Sequence, residues 1–178
     1  MITYKSGNLL HSSAQVLTNT VNCVGVMGKG IALQFKNSFP EMFEDYKMKC
    51  EKGEVKLGEP YLWDNGQVQI LNFPTKGHWK ENSRLEDIEA GLKYLALNYE
   101  KIGINSISLP PLGCGNGGLN WKDVKNLINK YLGPLDLLDV YVYEAYEAVQ
   151  TNESNRSVIK QSSSRRDDGM VAIQGSLL

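Results

Sequence analysis

The amino-acid sequence predicts an α/β fold in which helices cover both faces of a central mixed β-sheet of about six strands. Two observations support this. Short strand-like runs alternate with longer segments at helical spacing, and the 178 residues suffice for one full-sized core. The hydrophobic content of 42% and the charged content of 22% are typical of globular proteins. We therefore expect a three-layer α/β/α domain.

The first half of the chain contains four predicted strands and two predicted helices. The strands are residues 2–5, 15–20, 61–63 and 68–73. A turn at Gly7-Asn8 follows the first strand, and Asn65-Gly66 is a strong hairpin signal between the last two. One helix follows the glycine-rich run at 25–30. Pro40 ends that helix and opens the next one, which ends near Gly53.

The second half contains two more helices and two more strands. Ser83 and Glu86 form a capping-box pattern, which predicts a helix that starts at Ser83. The apolar face of this helix consists of Leu85, Ile88, Leu92, Leu95 and Tyr99. Asn120 is placed to cap a last helix, and residues 104–110 and 138–143 are predicted strands.

The composition changes near the end of the chain. Residues 151–168 are mostly Ser, Asn, Arg, Lys and Asp, with little apolar surface to bury. Such a segment does not form a packed core, so we expect a polar, mobile tail or linker at 149–178. The folded domain is expected to span residues 1–148.

Charge and cysteine content exclude several classes of function. The formal net charge of −1 provides no general basic field for nucleic acid, so any such contact must be local. The three cysteines form no CxxC pair and only two histidines are present, so we expect no metal site and no cofactor. No segment reads as a signal peptide or a membrane span. We expect a cytoplasmic monomer with no membrane contact.

Two glycine-rich loops, at 25–30 and 113–118, each follow a predicted strand. Backbone amides in such loops approach an anion closely, so the pair would suit a ligand that contains a diphosphate. The alternative is that the glycines only permit tight turns. Residues 113–118 formally match GxGxxG, but too few βα units follow for a dinucleotide-binding half-domain, and the chain contains no GxxxxGK[ST].

Three motifs together resemble the macrodomain family. Asn19-Thr20-Val21-Asn22 with the first glycine loop resembles the Asn-x-x-Asn motif and loop of macrodomains, and residues 109–115 resemble their second, phosphate-embracing loop. The stretch 72–80, followed by Ser83-Arg84-Leu85-Glu86, resembles more narrowly the DarG antitoxins, which reverse DNA ADP-ribosylation by DarT toxins. It is more distantly similar to the eukaryotic terminal ADP-ribose glycohydrolase. The resemblance covers about residues 1–143.

The resemblance implies a set of residues that bind ADP-ribose. They are Asn8, Leu9, Asn22, Gly28, Lys29, Gly30, Ile31, Thr75, Pro111, Gly113, Cys114, Gly115, Asn116, Gly117, Gly118 and Leu119. Asn8 stands where the family usually has an aspartate that accepts a hydrogen bond from adenine, and its side-chain oxygen is also an acceptor. Asn22 would bond the ribose next to the scissile bond, although a structural role in capping loop amides competes with this.

Lys76 is the catalytic residue that the resemblance implies. A neutral amine there would attack the anomeric carbon, or stabilise the opening ribose ring through a Schiff-base-type intermediate. The alternative is an ordinary surface or phosphate-pairing lysine. The eukaryotic relative has a catalytic aspartate where this chain aligns Gly117, so water or another group must move protons. Cys114 would only line the loop.

His78, Trp79 and Lys80 are the predicted contact with substrate DNA. An aromatic ring flanked by cations stacks an unpaired base and pairs with a phosphate, whereas a core-anchoring Trp79 is the alternative. The resemblance implies a DNA ADP-ribosyl glycohydrolase, with ADP-ribosylated DNA as its substrate and a DarT-type toxin as a candidate partner. Hydrolysis of ADP-ribosylated protein carboxylates or O-acetyl-ADP-ribose, and non-catalytic reading of ADP-ribose, remain alternatives.

Overall fold

The computed structural model describes residues 1–145, so the predicted tail lies outside the described residues. The strands are β1 (Ile2–Ser6), β2 (Val16–Asn22), β3 (Tyr61–Asp64), β4 (Gln69–Lys76), β5 (Ser106–Leu109) and β6 (Asp139–Ala145). The helices are α1 (Gly30–Ser38), α2 (Pro40–Glu51), α3 (Leu85–Asn98) and α4 (Trp121–Leu132), with a 3-10 turn at Leu9–His11. Within residues 1–145, no helix is both long and apolar enough to cross a bilayer.

The strands form one mixed sheet in the order β1-β6-β5-β2-β4-β3. All neighbours are parallel except β3, which pairs antiparallel with β4 across the predicted hairpin. One apolar cluster joins the sheet to α3 and α4, and a second joins it to α1 and α2. The α/β/α prediction, with about six strands and helices in two layers, is therefore confirmed.

The core is built from side chains at the positions that the periodicity indicated. Leu92 of α3 and Ile128 of α4 are fully buried, and each contributes about 1.5–3 kcal/mol through burial. Gly91 allows α3 to approach β4 closely, because a Cβ on this glycine would lie 2.4 Å from Cζ of Phe73. Close helix-on-sheet packing therefore requires glycine at this position.

Of the two predicted helix caps, one is confirmed and one is wrong. The Asn120 side chain accepts from the Lys122 amide at 2.8 Å and caps α4 as expected. The capping box at Ser83 is wrong, because α3 has Arg84 at its N-cap position and no side-chain cap. Ser83 is instead held by a distant segment, since its amide donates to the Gly117 carbonyl at 2.9 Å. Tertiary pairing has overridden the local signal.

Two central strands are longer than predicted. β2 continues to Asn22 and β4 continues to Lys76, and these two residues are register partners. The sequence prediction ended this strand at Phe73, directly before Pro74, and proline lacks an amide donor for a strand ladder. The structure tolerates Pro74 because β3 pairs only with residues 69–72, so no strand lies beside Pro74 on that side. Both extensions bring candidate site residues to the carboxyl edge of the sheet.

Candidate active site

A cavity of about 740 Å³ lies at the carboxyl ends of β2, β4 and β5. These strands are parallel neighbours, so the segments that follow them meet at one edge of the sheet. Most of the predicted site residues line this cavity: Asn22, Gly28, Lys29, Gly30, Ile31, Thr75, Lys76, Trp79, Lys80, Pro111, Gly113, Gly115, Asn116 and Gly117. The volume is that of a typical small-molecule site.

The first glycine loop is organised by Asn22 at the end of β2. Its Oδ1 accepts from the amides of Val24 and Val26 at 3.0 and 3.3 Å, and its Nδ2 donates to the Val26 carbonyl at 2.6 Å. The Tyr46 hydroxyl from α2 lies 2.9 Å from both carbonyl oxygens of Asn22 and donates to this pair. The structural role of Asn22 is therefore present, and Nδ2 donates one hydrogen bond to the described residues.

The start of α1 presents uncapped amides to the cavity. Lys29 is the N-cap residue of α1 and makes no side-chain cap, so no side chain occupies the amides of the first turn. Gly30 follows in the left-handed region at φ 59°, which favours glycine. An anion bound there would meet free N–H groups and the positive end of the helix dipole.

The second glycine loop faces the first across the cavity. Nδ2 of Asn116 lies 3.2 Å from the position that a Cβ on Gly30 would take. Gly117 has no room for a side chain, because its Cβ would lie 2.3 Å from both the Gly113 carbonyl oxygen and Oγ of Ser83. An acid at this position would require Ser83 to move, which agrees with the absence of a second-loop aspartate in this chain.

Lys76 extends from the end of β4 to the second loop. Its Nζ donates to the Asn116 carbonyl at 2.8 Å, so the amine lies at the cavity wall beside the loop amides. Burial lowers the pKa of Lys76 below its ordinary value of 10.5, and the negative charge of Glu81 opposes this shift. A larger neutral fraction of the amine is the state that nucleophilic attack requires.

The segment after Lys76 forms an aromatic ledge at the cavity, made of His78, Trp79 and Lys80. The Trp79 side chain is 49% exposed and stacks on His78, with ring centroids 5.4 Å apart at 29°. Lys80 Nζ lies 5.0 Å from the Trp79 ring centroid. Trp79 and Lys80 line the cavity, whereas His78 supports the ring. Exposure of half the indole argues against Trp79 as a core anchor.

Six predicted site residues lie outside the cavity lining: Asn8, Leu9, His78, Cys114, Gly118 and Leu119. Asn8 caps the 3-10 turn by accepting from the Leu10 amide at 2.9 Å, and it borders a separate hollow of about 310 Å³. Leu9 is fully buried in the core. Burial raises the pKa of Cys114 to about 11, so its thiol stays protonated and is a poor nucleophile at neutral pH.

Sequence reasoning missed three residues that support the site. Tyr46 holds Asn22, Glu81 acts on Lys76 through its charge, and Ser83 pairs with the second loop. Glu81 had a weak signal, since an acid five positions after a candidate lysine is near it in sequence. Tyr46 had none, because its partner lies on a distant segment. Ser83 stands in the motif that resembles the DarG antitoxins, but its pairing with the Gly117 carbonyl on a distant segment had no signal.

Comparison with known proteins agrees with this geometry. The family described as Macro domain matches residues 18–128. The DNA ADP-ribosyl glycohydrolase of Thermus aquaticus is 47% identical over 151 residues, which cover 83% of this chain and 42% of that relative. The macrodomain of Mycobacterium tuberculosis DarG has a TM-score of 0.79 at 48% identity, over 82% of this chain and 99% of that one. Thermosipho africanus DarTG in complex with ADP-ribose has a TM-score of 0.74 at 40% identity, over 79% of this chain and 41% of that one.

The fold, the two loops and the matched residues define the class, and the chain belongs to the macro domain family. Within this family it is similar to the DarG macrodomains of Mycobacterium tuberculosis and Thermus aquaticus, as the motif around Lys76 predicted. The chain spans only 42% of the length of the Thermus relative.

Proposed function

We propose that this chain is an ADP-ribosyl glycohydrolase that removes ADP-ribose from DNA bases. The observation that carries the proposal is the position of the Lys76 amine, which lies in the cavity between two loops of backbone amides. The loops would hold the diphosphate, so the distal ribose would extend toward Lys76. The names of the relatives, DNA ADP-ribosyl glycohydrolase, support DNA as the substrate.

In the proposed reaction, the neutral Lys76 amine supplies an electron pair to the anomeric carbon. The bond between this carbon and the base nitrogen breaks, and the base leaves with the bonding pair and takes up a proton. The alkylated amine releases a proton, which balances the one taken up by the base. Its electron pair then breaks the bond between the anomeric carbon and the ring oxygen, which takes up a proton, so the ring opens to a protonated Schiff base with Lys76. Water hydrolyses this Schiff base to free ADP-ribose and the amine. The uncommitted Nδ2 hydrogen of Asn22 would bond the reacting ribose.

The proposed activity also implies a partner, a location and a folded extent for this chain. A DarT-type toxin would supply the modified DNA. The Thermosipho africanus relative supports this, since its name describes a fusion of a DNA ADP-ribosyl transferase with a DNA ADP-ribosyl glycohydrolase. We propose a cytoplasmic location, because the three cysteines are free thiols, as in a reducing compartment, and we propose that the chain is a monomer. The folded domain would span residues 1–148, and 149–178 would form a polar tail.

The test of the activity is a side-by-side assay on two substrates. ADP-ribosylated single-stranded DNA and protein ADP-ribosylated on carboxylates are incubated with equal amounts of this chain, and released ADP-ribose is measured. We expect release from the DNA at a much higher kcat/KM. Release from protein alone would favour the protein-carboxylate alternative. Binding of ADP-ribose with no release from either substrate would favour a non-catalytic reader.

The exposed indole of Trp79 provides a separate test of DNA as substrate. We expect Trp79→Ala to raise KM for ADP-ribosylated DNA by roughly 5- to 150-fold, because base–aromatic stacking contributes about 1–3 kcal/mol. Affinity for free ADP-ribose should stay unchanged, since Trp79 would contact the base and not the diphosphate. Leu97→Ala is the matched control, because Leu97 is 75% exposed and does not line the cavity. Equal KM values for Trp79→Ala and wild type would show that Trp79 does not contact the DNA.

A further inference from the structure

Ser83 carries a buried hydroxyl with no hydrogen-bond partner. The residue is 6% exposed, and no described protein group lies within hydrogen-bonding reach of its Oγ in a suitable geometry. An unpaired buried hydroxyl costs about 1–3 kcal/mol relative to an apolar group of similar shape. Alanine at this position would avoid that cost, so the hydroxyl calls for a partner that the described residues do not supply in this arrangement.

The hydroxyl lies directly behind the second glycine loop. Oγ of Ser83 would be 2.3 Å from a Cβ on Gly117 and 3.1 Å from a Cβ on Gly113, and both glycines line the cavity. The Gly113 carbonyl oxygen lies at the same 2.3 Å from that Cβ position on Gly117. The hydroxyl and this carbonyl therefore lie beside the same point, the face of Gly117, and are close to each other.

The segment that carries Lys76 is joined to the second loop at both of its ends. Lys76 Nζ donates to the carbonyl of Asn116 at 2.8 Å, and the Ser83 amide donates to the carbonyl of Gly117 at 2.9 Å. Because these two carbonyls are consecutive, Lys76 and Ser83 contact the same part of the second loop. Ser83 is thus placed to set the loop and the amine together.

We propose that Ser83 is a positioning residue of the ADP-ribose site, whose hydroxyl donates to the Gly113 carbonyl when the second loop closes on the diphosphate. This inference rests on the proposed binding of ADP-ribose. It gives the buried hydroxyl a partner only in the liganded state. Removing the hydroxyl should therefore weaken binding without weakening the ligand-free fold.

The test compares Ser83→Ala with wild type for unfolding temperature and for ADP-ribose affinity by calorimetry. We expect an unfolding temperature equal to or above that of wild type, and a Kd raised about 2- to 13-fold, the equivalent of one net hydrogen bond. Ser83→Cys keeps a weak donor and should give an intermediate Kd. The matched control is Thr18→Val, which removes another buried, unpaired hydroxyl at a position that does not line the cavity. Its Kd should equal that of wild type.

Each other result would overturn the inference. A wild-type Kd for Ser83→Ala would show that the hydroxyl is unused in the complex. An unfolding temperature well below that of wild type, with equal losses of affinity in Ser83→Ala and Thr18→Val, would show a purely structural role. Failure of wild type itself to bind ADP-ribose would refute the proposed function as well. The wild-type Kd is therefore measured before any variant is compared.

Discussion

At the scale of single residues, the chemistry depends on how Lys76 is held. Lys76 is the last residue of β4, and its amine donates to the Asn116 carbonyl at the cavity wall. Its pKa is lowered by burial and raised by Glu81, and the balance of the two sets how much neutral amine is present at a given pH. Substitutions at Lys76 and at Glu81 can therefore test the role of the amine and the control of its pKa.

Replacing Lys76 should separate binding from cleavage. We expect Lys76→Ala to retain ADP-ribose affinity within about threefold and to lose roughly 100-fold or more in kcat on ADP-ribosylated DNA, because the amine acts on the way to the transition state. Lys76→Arg keeps a cation but supplies no neutral nucleophile, so it should be equally slow. Lys101→Ala, at an exposed lysine outside the cavity lining, is the control.

Two outcomes would contradict this assignment. A near wild-type rate for Lys76→Arg would mean that charge stabilisation, and not nucleophilic attack, is the contribution of this residue. Full activity of Lys76→Ala would mean that the catalytic group lies elsewhere.

The charge of Glu81 predicts a pH effect whose sign is fixed. Because the carboxylate raises the pKa of Lys76, Glu81→Gln should lower that pKa further. The neutral amine then forms at lower pH, so the rise of kcat with pH should shift to lower pH than in wild type. Single-turnover rates measured across the alkaline range would show this. Oε2 of Glu81 accepts a hydrogen bond from the His78 amide at 3.0 Å, and the side-chain oxygen of glutamine can accept the same bond. A shift to higher pH, or none, would refute the coupling.

At the scale of elements, the two glycine loops form opposite walls of the cavity. Each follows a parallel strand, and each presents glycine where a side chain would obstruct either the cavity or the backbone. These two reasons are distinct. Gly117 cannot accept a Cβ because of the Gly113 carbonyl, whereas nothing lies within 4 Å of a Cβ on Gly115. On Gly28, a Cβ would meet only a Val26 methyl at 3.9 Å.

Substitutions in the loops should therefore divide into two groups. Gly28→Val and Gly115→Val are expected to fold with an unfolding temperature near that of wild type, since both positions have space. They should weaken ADP-ribose binding about tenfold or more, because the branched side chain blocks approach to the amides. Gly117→Ala should lower the unfolding temperature as well. Calorimetry and thermal melts distinguish the groups, and normal binding by both valine variants would place the ligand in other loops.

At the scale of the whole molecule, the sheet order makes β6, the last element of the described residues, necessary for the fold. β6 lies between β1 and β5, and Val140 and Val142 of this strand are fully buried. The last strand in sequence is thus an interior strand in space. Any boundary of the folded domain must lie beyond β6.

Truncation tests that boundary. A chain that ends at residue 148 should keep the unfolding temperature and the ADP-ribose affinity of the full chain. A chain that ends at residue 137 lacks β6 and should not fold cooperatively, because the sheet would lose an interior strand. Circular dichroism melts with calorimetry report both properties. Loss of binding in the 148-residue chain would mean that residues 149–178 take part in the site.

The local signals of the sequence were sufficient for the elements and for most of the cavity. Strand and helix positions follow from periodicity and turn residues, and the cap at Asn120 is a contact between near neighbours in sequence. The glycine loops were found from glycine runs that follow predicted strands, and Lys76 was found from the motif that carries the resemblance. Each of these features is encoded within a short segment.

Only the tertiary structure decided where long-range contacts override local preference. Ser83 is a good capping residue by its sequence, yet its amide pairs with the loop at Gly117, so the helix starts after it. Proline often ends a strand, yet β4 continues through Pro74 because the pairing with β3 extends only to Asn72. The roles of Tyr46 and Glu81 likewise depend on which segments the sheet order brings together. Local propensities amount to about 1 kcal/mol or less per residue, so a few tertiary contacts outweigh them.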